Sequence, residues 1–327
     1  MRKALLIGIN DYPNPYELLG CVNDIETVAP LLERNENGDK NFDIKLLPNV
    51  QCSAEALSAI GQLFGDNADI ALLYFSGHGY LDAIGAQVVF PHDIKDNGSC
   101  YYGIQLSTIL DIANKSKVKN KIIILDSCYS GFMGKLTSNM EASVISPGVS
   151  IMVACREDET AQEYGTHGIF TELLCSALNG GAADFLGNIT IGGIYAYIDR
   201  SLGAWHQRPV FKTNVTEFVP IRQVKASVPL NIIRMLPKLF PNETTLHSLN
   251  PSYEFTNSPN EKQMEVIQPY ATQENVDRFK ALQKLASIGF VRPVGEEHMY
   301  FAAMHSKPCE LTSLGKYYKK LVLDGRI

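Results

Sequence analysis

The amino-acid sequence predicts an α/β protein, a three-layer sandwich with a mostly parallel central sheet, followed by a small C-terminal α+β domain. Three observations carry this. Short apolar runs alternate with stretches of helical periodicity through the first 224 residues. Two of the runs, Ile70–Phe75 and Lys121–Leu125, are almost wholly apolar and stop abruptly at small polar clusters, as interior strands of a parallel sheet do. Beyond them, Pro229, Pro237, Pro241, Pro251, Pro259 and Pro269 interrupt the pattern before helical periodicity resumes.

Lys3–Ile9 reads as the first strand. Its apolar part, Ala4–Ile9, is too short for a secretory leader and is broken by Asn10-Asp11. Asn23–Arg34 follows as a helix with Ile25, Val28, Leu31 and Leu32 on one face, and Asp43–Leu47 as a short strand. Ser53 is positioned to cap a helix that reaches about Phe64. After the strand Ile70–Phe75 come a helix over Gln105–Ala113 and the strands Lys121–Leu125 and Val149–Ala154. Helices near Gly168–Leu178 and Ile191–Leu202 complete the series, leaving the polar, helix-poor stretch 133–148 as a functional loop.

The predicted domains are 1–224, a linker with short structured pieces over 225–270, and 271–327. In the last, Gln273–Ile288 is a helix with Gly289 as its C-cap, FVRPVGEEHMYFAAM a hairpin turning at Gly-Glu-Glu, and LTSLGKYYKKLVL a closing helix. This order resembles a winged helix-turn-helix module. Tyr317 is expected in its core and Tyr318 at its surface.

Composition narrows the function classes. A chain that is 45% hydrophobic and 20% charged, with no apolar run near ~18 residues, is globular and does not cross a membrane. Its seven cysteines (Cys21, Cys52, Cys100, Cys128, Cys155, Cys175 and Cys309) are scattered and form no CxxC pair, which argues against a disulfide framework and a zinc site and points to the cytoplasm. Residues 1–224 carry 16 Lys/Arg against 25 Asp/Glu, disfavouring a nucleic-acid substrate; residues 225–327 carry 13 against 10. A basic face built from Arg278, Lys280, Lys284 and Arg292 would be weak for DNA, so a regulatory protein partner is favoured over nucleic acid for the C-terminal module.

The chemistry concentrates at two strand ends. ALLYFSGHG ends at Gly79 and IIILDSCYSG at Gly131, with His78 and Cys128 separated by 50 positions. Ligands gather beyond the carboxyl ends of parallel strands. A thiol becomes nucleophilic when a nearby imidazole takes its proton, so the two residues are the candidate catalytic pair. The backbone N–H groups of Gly79 and Cys128 are candidate oxyanion donors, each such donor worth roughly 3–4 kcal/mol at the transition state.

SGHG and DSCYSG, with LIGINDY, GCVND, HGIFT and QRPVF, resemble the caspase-like cysteine peptidases, and among them the metacaspases and their bacterial relatives, over roughly residues 1–222. The resemblance implies a caspase-like sandwich in which His78 is the general base and Cys128 the nucleophile of an acyl-enzyme. It also implies an acidic S1 pocket from Cys21, Asp24, Ser76 and Asp126. Two carboxylates there would select arginine, then lysine, at P1, the residue before the scissile bond, and reject aspartate. By the residues alone, alternatives are Asp24 as a helix-capping carboxylate, Asp126 as a structural acceptor, and Cys21 as core.

Many metacaspases use calcium, but Asp82, Asp93 and Asp96 fall short of the about six to eight oxygens that ion takes. No cofactor or metal is therefore expected. Lys135 is the only basic residue of the 133–148 loop and the candidate self-cleavage position. Cys155 and Cys175 read as core, His167 as a capping or packing residue, His92 as solvent-facing, and Trp205 as pocket wall or core. The expected function is a regulated endopeptidase of a bacterial signalling or defence system. The alternatives are a caspase-like signalling scaffold and a regulator that senses nucleic acid through its C-terminal module.

Overall fold

Every second residue of the apolar runs faces the same helical layer, and this alternation builds the first unit. The computed structural model describes residues 1–81, 85–94, 102–127, 144–154, 168–202, 209–216, 218–259 and 266–327. They form two units, Met1–Lys225 and Ala226–Ile327. The first contains, in chain order, β1 (Arg2–Gly8), α1 (Cys21–Glu33), β2 (Asp43–Pro48), α2 (Ser53–Gly65), β3 (Ile70–Ser76), β4 (Gly79–Leu81), β5 (Ala86–Val88), β6 (Ile104–Gln105), α3 (Leu106–Lys115), β7 (Asn120–Asp126), β8 (Val149–Val153), α4 (Ile169–Ser176), β9 (Asn188–Thr190), α5 (Ile191–Leu202), β10 (Val210–Asn214) and β11 (Pro220–Gln223).

The main sheet has the order β10-β8-β7-β3-β1-β2. Neighbours are parallel throughout, except that β10 runs antiparallel to β8 at one edge. Leu5, Ile7, Leu73, Phe75, Ile123 and Leu125 pack on one face with residues of α2 and α3, including Ile60, Phe64, Ile109 and Leu110. Ala4, Leu6, Leu72, Tyr74, Ile122 and Ile124 pack on the other with α1, α4 and α5, through Val28, Leu174 and Ile194 among others. Burial on both faces is why these strands carry no polar alternation. The strand order turns back between β1 and β3, so the crevice expected of such sheets lies at their carboxyl ends.

Two local features differ from expectation. Ser53 does not cap α2: Cys52 occupies that place, and the Ser53 hydroxyl instead donates to Asp93 at 3.1 Å. A small antiparallel sheet, β4-β5-β6, follows directly on His78. Its strands of two or three residues are too short to show a period in the sequence.

In the second unit the elements are α6 (Leu230–Ile233), α7 (Leu236–Leu239), β12 (His247–Ser248), α8 (Gln273–Ser287), β13 (Val291–Pro293), α9 (Met299–Met304), β14 (Pro308–Leu311) and α10 (Ser313–Leu323). Gly289 follows α8 at φ +73°, a conformation suited to glycine after a helix end. The expected hairpin turning at Gly295–Glu297 is not formed. β13 pairs with β14, and α9 lies between them. Buried Met299, Ala302 and Ala303 give that segment helical spacing, which overrides the turn signal of Gly-Glu-Glu. Tyr317 and Tyr318 are the reverse of expectation: Tyr317 is exposed, while Tyr318 is half-buried and stacks on Phe290 at 4.6 Å. The stretch 225–270, read as a linker from its prolines, supplies the buried residues Val228, Ile233, Leu236, Phe240, Leu249 and Tyr253 to this unit. Among the described residues no helix is long and apolar enough to cross a membrane.

The start of α1 lies hard against the end of β1. A Cβ added at Gly8 would sit 2.3 Å from the carbonyl oxygen of Cys21, with no side chain in between to yield. Gly8→Ala is therefore expected to cost about 1–3 kcal/mol through forced backbone displacement. A thermal unfolding midpoint equal to wild type would refute this close approach.

Candidate active site

Beyond β1 the chain turns sharply, and two asparagines hold it. Asn49, in the left-handed region at φ +51°, accepts from the Asn10 amide at 2.8 Å and the Asp11 amide at 3.3 Å. Asn10 in turn accepts from the Val22 amide at 3.1 Å and donates to the Leu19 carbonyl at 3.1 Å. The pinned loop delivers Tyr12 and Tyr16 to the histidine at the end of β3.

Three hydrogen bonds close a ring around the His78 backbone. Its N–H donates to the Tyr12 hydroxyl at 3.0 Å, that hydroxyl donates to the Val89 carbonyl at 3.0 Å, and the Val89 N–H donates to the His78 carbonyl at 3.0 Å. The Tyr12 ring stands edge-on to the imidazole with centroids 4.5 Å apart. Gly77 is required beside them, since a Cβ there would lie 2.6 Å from the Tyr12 oxygen. Burial raises the Tyr12 phenol well above its ordinary range, so it keeps the proton it donates.

The side chain of His78 is equally constrained. Nε2 lies 2.8 Å from the Tyr16 carbonyl oxygen. A carbonyl only accepts, so Nε2 carries the proton and Nδ1 of the neutral ring holds the lone pair. Burial lowers the His78 pKa below its ordinary value, and the bond to Tyr16 offsets part of that. The imidazole is thus neutral near pH 7 and able to take a proton.

Next to it, Ser76 and Asp126 are register partners on β3 and β7, with strands roughly 4.8 Å apart. Gly77 N–H donates to the Asp126 carbonyl at 3.2 Å, extending the pairing past the strand end. The Ser76 hydroxyl donates to the Asp24 carboxylate at 2.7 Å, and the Thr171 hydroxyl to the Asp126 carboxylate at 2.6 Å. Asp24, Ser76 and Asp126 are all buried, at 2%, 2% and 3% exposure, and so is Cys21, the first residue of α1. Asp24 sits in the first turn of that helix, where a carboxylate is favoured by the helix dipole.

So His78, Gly79, Cys21, Asp24, Ser76 and Asp126 meet at one edge of the sheet. Cys128 lies outside the described residues, as do Lys135, Asp82, Asp96, Cys155, His167 and Trp205. Ser127, the last described residue before Cys128, is buried, and its hydroxyl has no hydrogen-bond partner among the described residues. Asp93 is half-buried, and burial raises its carboxyl, partly offset by its bond to Ser53. Among the described residues no group of three or more His, Cys, Asp or Glu could hold a metal ion. His92 is exposed, and Cys175 is half-buried with its thiol pushed up to about 12 by desolvation and then by Asp24. Tyr12, Tyr16, Tyr74 and Thr171 had no role on sequence grounds. Tyr12 and Thr171 do fall within LIGINDY and HGIFT, but there a side chain's partners cannot be read from spacing.

The model of the caspase domain matches residues 1–219. Metacaspase-1 of Plasmodium falciparum is 32% identical over 194 residues, spanning 50% of this chain and 31% of that protein. Metacaspase-1A of Neurospora crassa is 32% identical over 147 residues, 40% of this chain and 32% of that protein. The chain thus spans about a third of the length of these curated relatives. Among solved structures, caspase-1 from Spodoptera frugiperda aligns over 68% of this chain and 91% of its own, with 14% identity and a TM-score of 0.48. A Geobacter sulfurreducens protein aligns over 69% and 100%, with 18% identity and a TM-score of 0.47.

A lowered His78 pKa has a defined pH signature. The folded state takes up the proton at lower pH than the unfolded chain, whose histidine titrates near ~6.5. Its contribution to stability is therefore present above that value and lost as pH falls through the folded pKa. Titration of the His78 ring by NMR should give a midpoint below ~6.5; a midpoint above it would show that burial does not outweigh the bond to Tyr16.

Proposed function

The chain belongs to the caspase-domain family of cysteine peptidases, and on that premise we propose that it is an endopeptidase that cleaves after arginine and, less well, after lysine. The observation that carries the reading is the set of His78. Its Nε2 proton is committed to the Tyr16 carbonyl, which leaves Nδ1 as the base.

In this mechanism His78 Nδ1 takes the Sγ proton of Cys128, and the thiolate attacks the scissile carbonyl carbon. The developing oxyanion is met by the N–H groups of Gly79 and Cys128. The imidazolium then returns its proton to the leaving amine, and the thioester is hydrolysed by water activated by the same ring. The register pairing of Ser76 with Asp126 supports the partnership, because His78 and Cys128 each follow that pair by two residues.

Asp24 and Asp126, with Ser76 and Cys21, form the S1 pocket of this reading. Two buried carboxylates bonded to hydroxyls favour a cation over an anion, and a planar guanidinium can take two parallel bonds from a carboxylate where an ammonium is a point charge. Aspartate at P1 would set like charges together. The Ala226–Ile327 unit serves a regulatory protein partner in this reading, since Glu274 pairs with Arg278 and Glu310 with Arg292, occupying two of the cations a nucleic-acid face would use.

The test is hydrolysis of fluorogenic peptides that differ only in carrying Arg, Lys or Asp at P1, in calcium and in chelator. Cleavage after Arg that exceeds cleavage after Lys, is insensitive to chelator and disappears in Cys128→Ala is the expected result. Cleavage after Asp would sink the acidic pocket, and activity that survives Cys128→Ala would sink the dyad.

A further inference from the structure

Asp126 is held by more than its own strand. Thr171, in the first turn of α4, is fully buried and donates its hydroxyl proton to the Asp126 carboxylate at 2.6 Å. The hydroxyl of Tyr74, on β3 and also fully buried, is hydrogen-bonded to the same Thr171 oxygen. A hydroxyl has one proton to give, and that of Thr171 is spent on Asp126. Tyr74 must therefore be the donor to Thr171, and the chain of bonds runs one way, from Tyr74 through Thr171 to the carboxylate. Burial raises the Tyr74 phenol well above its ordinary value, with the fields of Asp126 and Asp24 adding to it, so the proton that starts the chain stays in place.

Three elements, β3, α4 and β7, thus converge on one carboxylate. Asp24 on α1 is held differently: its hydroxyl partner, Ser76, comes from the end of β3 itself. Fully buried hydroxyls need partners in any fold, so satisfaction alone would explain each bond singly. It does not explain why a Tyr–Thr pair is directed onto a carboxylate at the strand end that also carries the nucleophile motif. A hydrogen-bonded chain of this kind fixes the rotation of the acceptor, and rotation is what a bidentate guanidinium contact needs and a lysine ammonium tolerates losing.

We infer that Thr171 and Tyr74 are positioning residues for P1 specificity, setting the orientation of Asp126 so that arginine is preferred to lysine. The inference rests on the reading of Asp126 as an S1 residue. The hydroxyl relay belongs to the enzyme's selectivity and not to its bond-breaking step.

The experiment measures kcat/KM for matched Arg and Lys P1 peptides in wild type, Thr171→Val, Thr171→Ser, Tyr74→Phe and Asp126→Asn, with thermal unfolding of each. Thr171→Val keeps the shape and removes the hydroxyl. Its Arg rate should fall about tenfold, the worth of one hydrogen bond to a charged group, and its Lys rate less than about threefold, so the Arg:Lys ratio narrows. Thr171→Ser should restore the ratio, and Tyr74→Phe should narrow it to a smaller degree. An unchanged ratio in Thr171→Val beside a narrowed one in Asp126→Asn overturns the relay and leaves the pocket standing. An unchanged ratio in Asp126→Asn removes the pocket and the relay with it. Should Thr171→Val fail to fold, Tyr74→Phe decides, and an unchanged ratio there overturns the inference.

Discussion

Parallel pairing of β3 with β1 on one side and β7 on the other, in register from Ile70 to Ser76, places the ends of three strands along one edge. Everything at the site hangs from that edge. Gly8 ends β1 and lets α1 close in, which brings Cys21 and Asp24 to the crevice. Ser76 ends β3 and bonds Asp24, and Asp126 ends β7 beside Ser76. A one-residue slip between β3 and β7 would turn each apolar side chain to the wrong helical layer as well as separating Ser76 from Asp126. Core packing on two faces therefore fixes the register that the polar residues rely on.

The polar cluster survives burial because its carboxylates and hydroxyls are partnered with one another. Unpaired buried carboxylates and hydroxyls cost several kcal/mol each. Here Ser76 meets Asp24, Thr171 meets Asp126 and Tyr74 meets Thr171. The same contacts cross between β3, β7, α1 and α4, so they bind the layers of the sandwich together at the point where the apolar core thins out.

Much of this was legible in the sequence. The apolar runs of the main sheet, the helices that cover it, and the small-residue clusters at the ends of Ile70–Phe75 and Lys121–Leu125 follow from hydrophobic period and turn chemistry, both of which are local. What was not legible depends on contacts between distant segments. That Tyr12 would reach His78 across 66 positions, or Thr171 reach Asp126 across 45, is decided by loop closure and helix placement, for which no spacing rule exists. The C-terminal hairpin failed for a different reason. Gly-Glu-Glu is a sound turn signal, but a turn can precede a short helix as readily as a strand, and Met299, Ala302 and Ala303 found burial in helical spacing.

The ring of bonds around His78 has a mechanical consequence. Val89 contributes both its amide and its carbonyl to that ring, and it is the residue that leaves β5. The small β4-β5-β6 sheet is therefore geared to the His78 backbone. Displacing β5 by one residue would put the wrong backbone groups opposite both His78 and Tyr12 and break two of the three contacts in a single step. The two contacts made by Val89 are lost together, while the bond from the His78 N–H to Tyr12 does not depend on β5. The small sheet thus grips the His78 main chain at its carbonyl and, through Tyr12, at its N–H, while the imidazole ring itself is set by Tyr16 from the loop beyond β1.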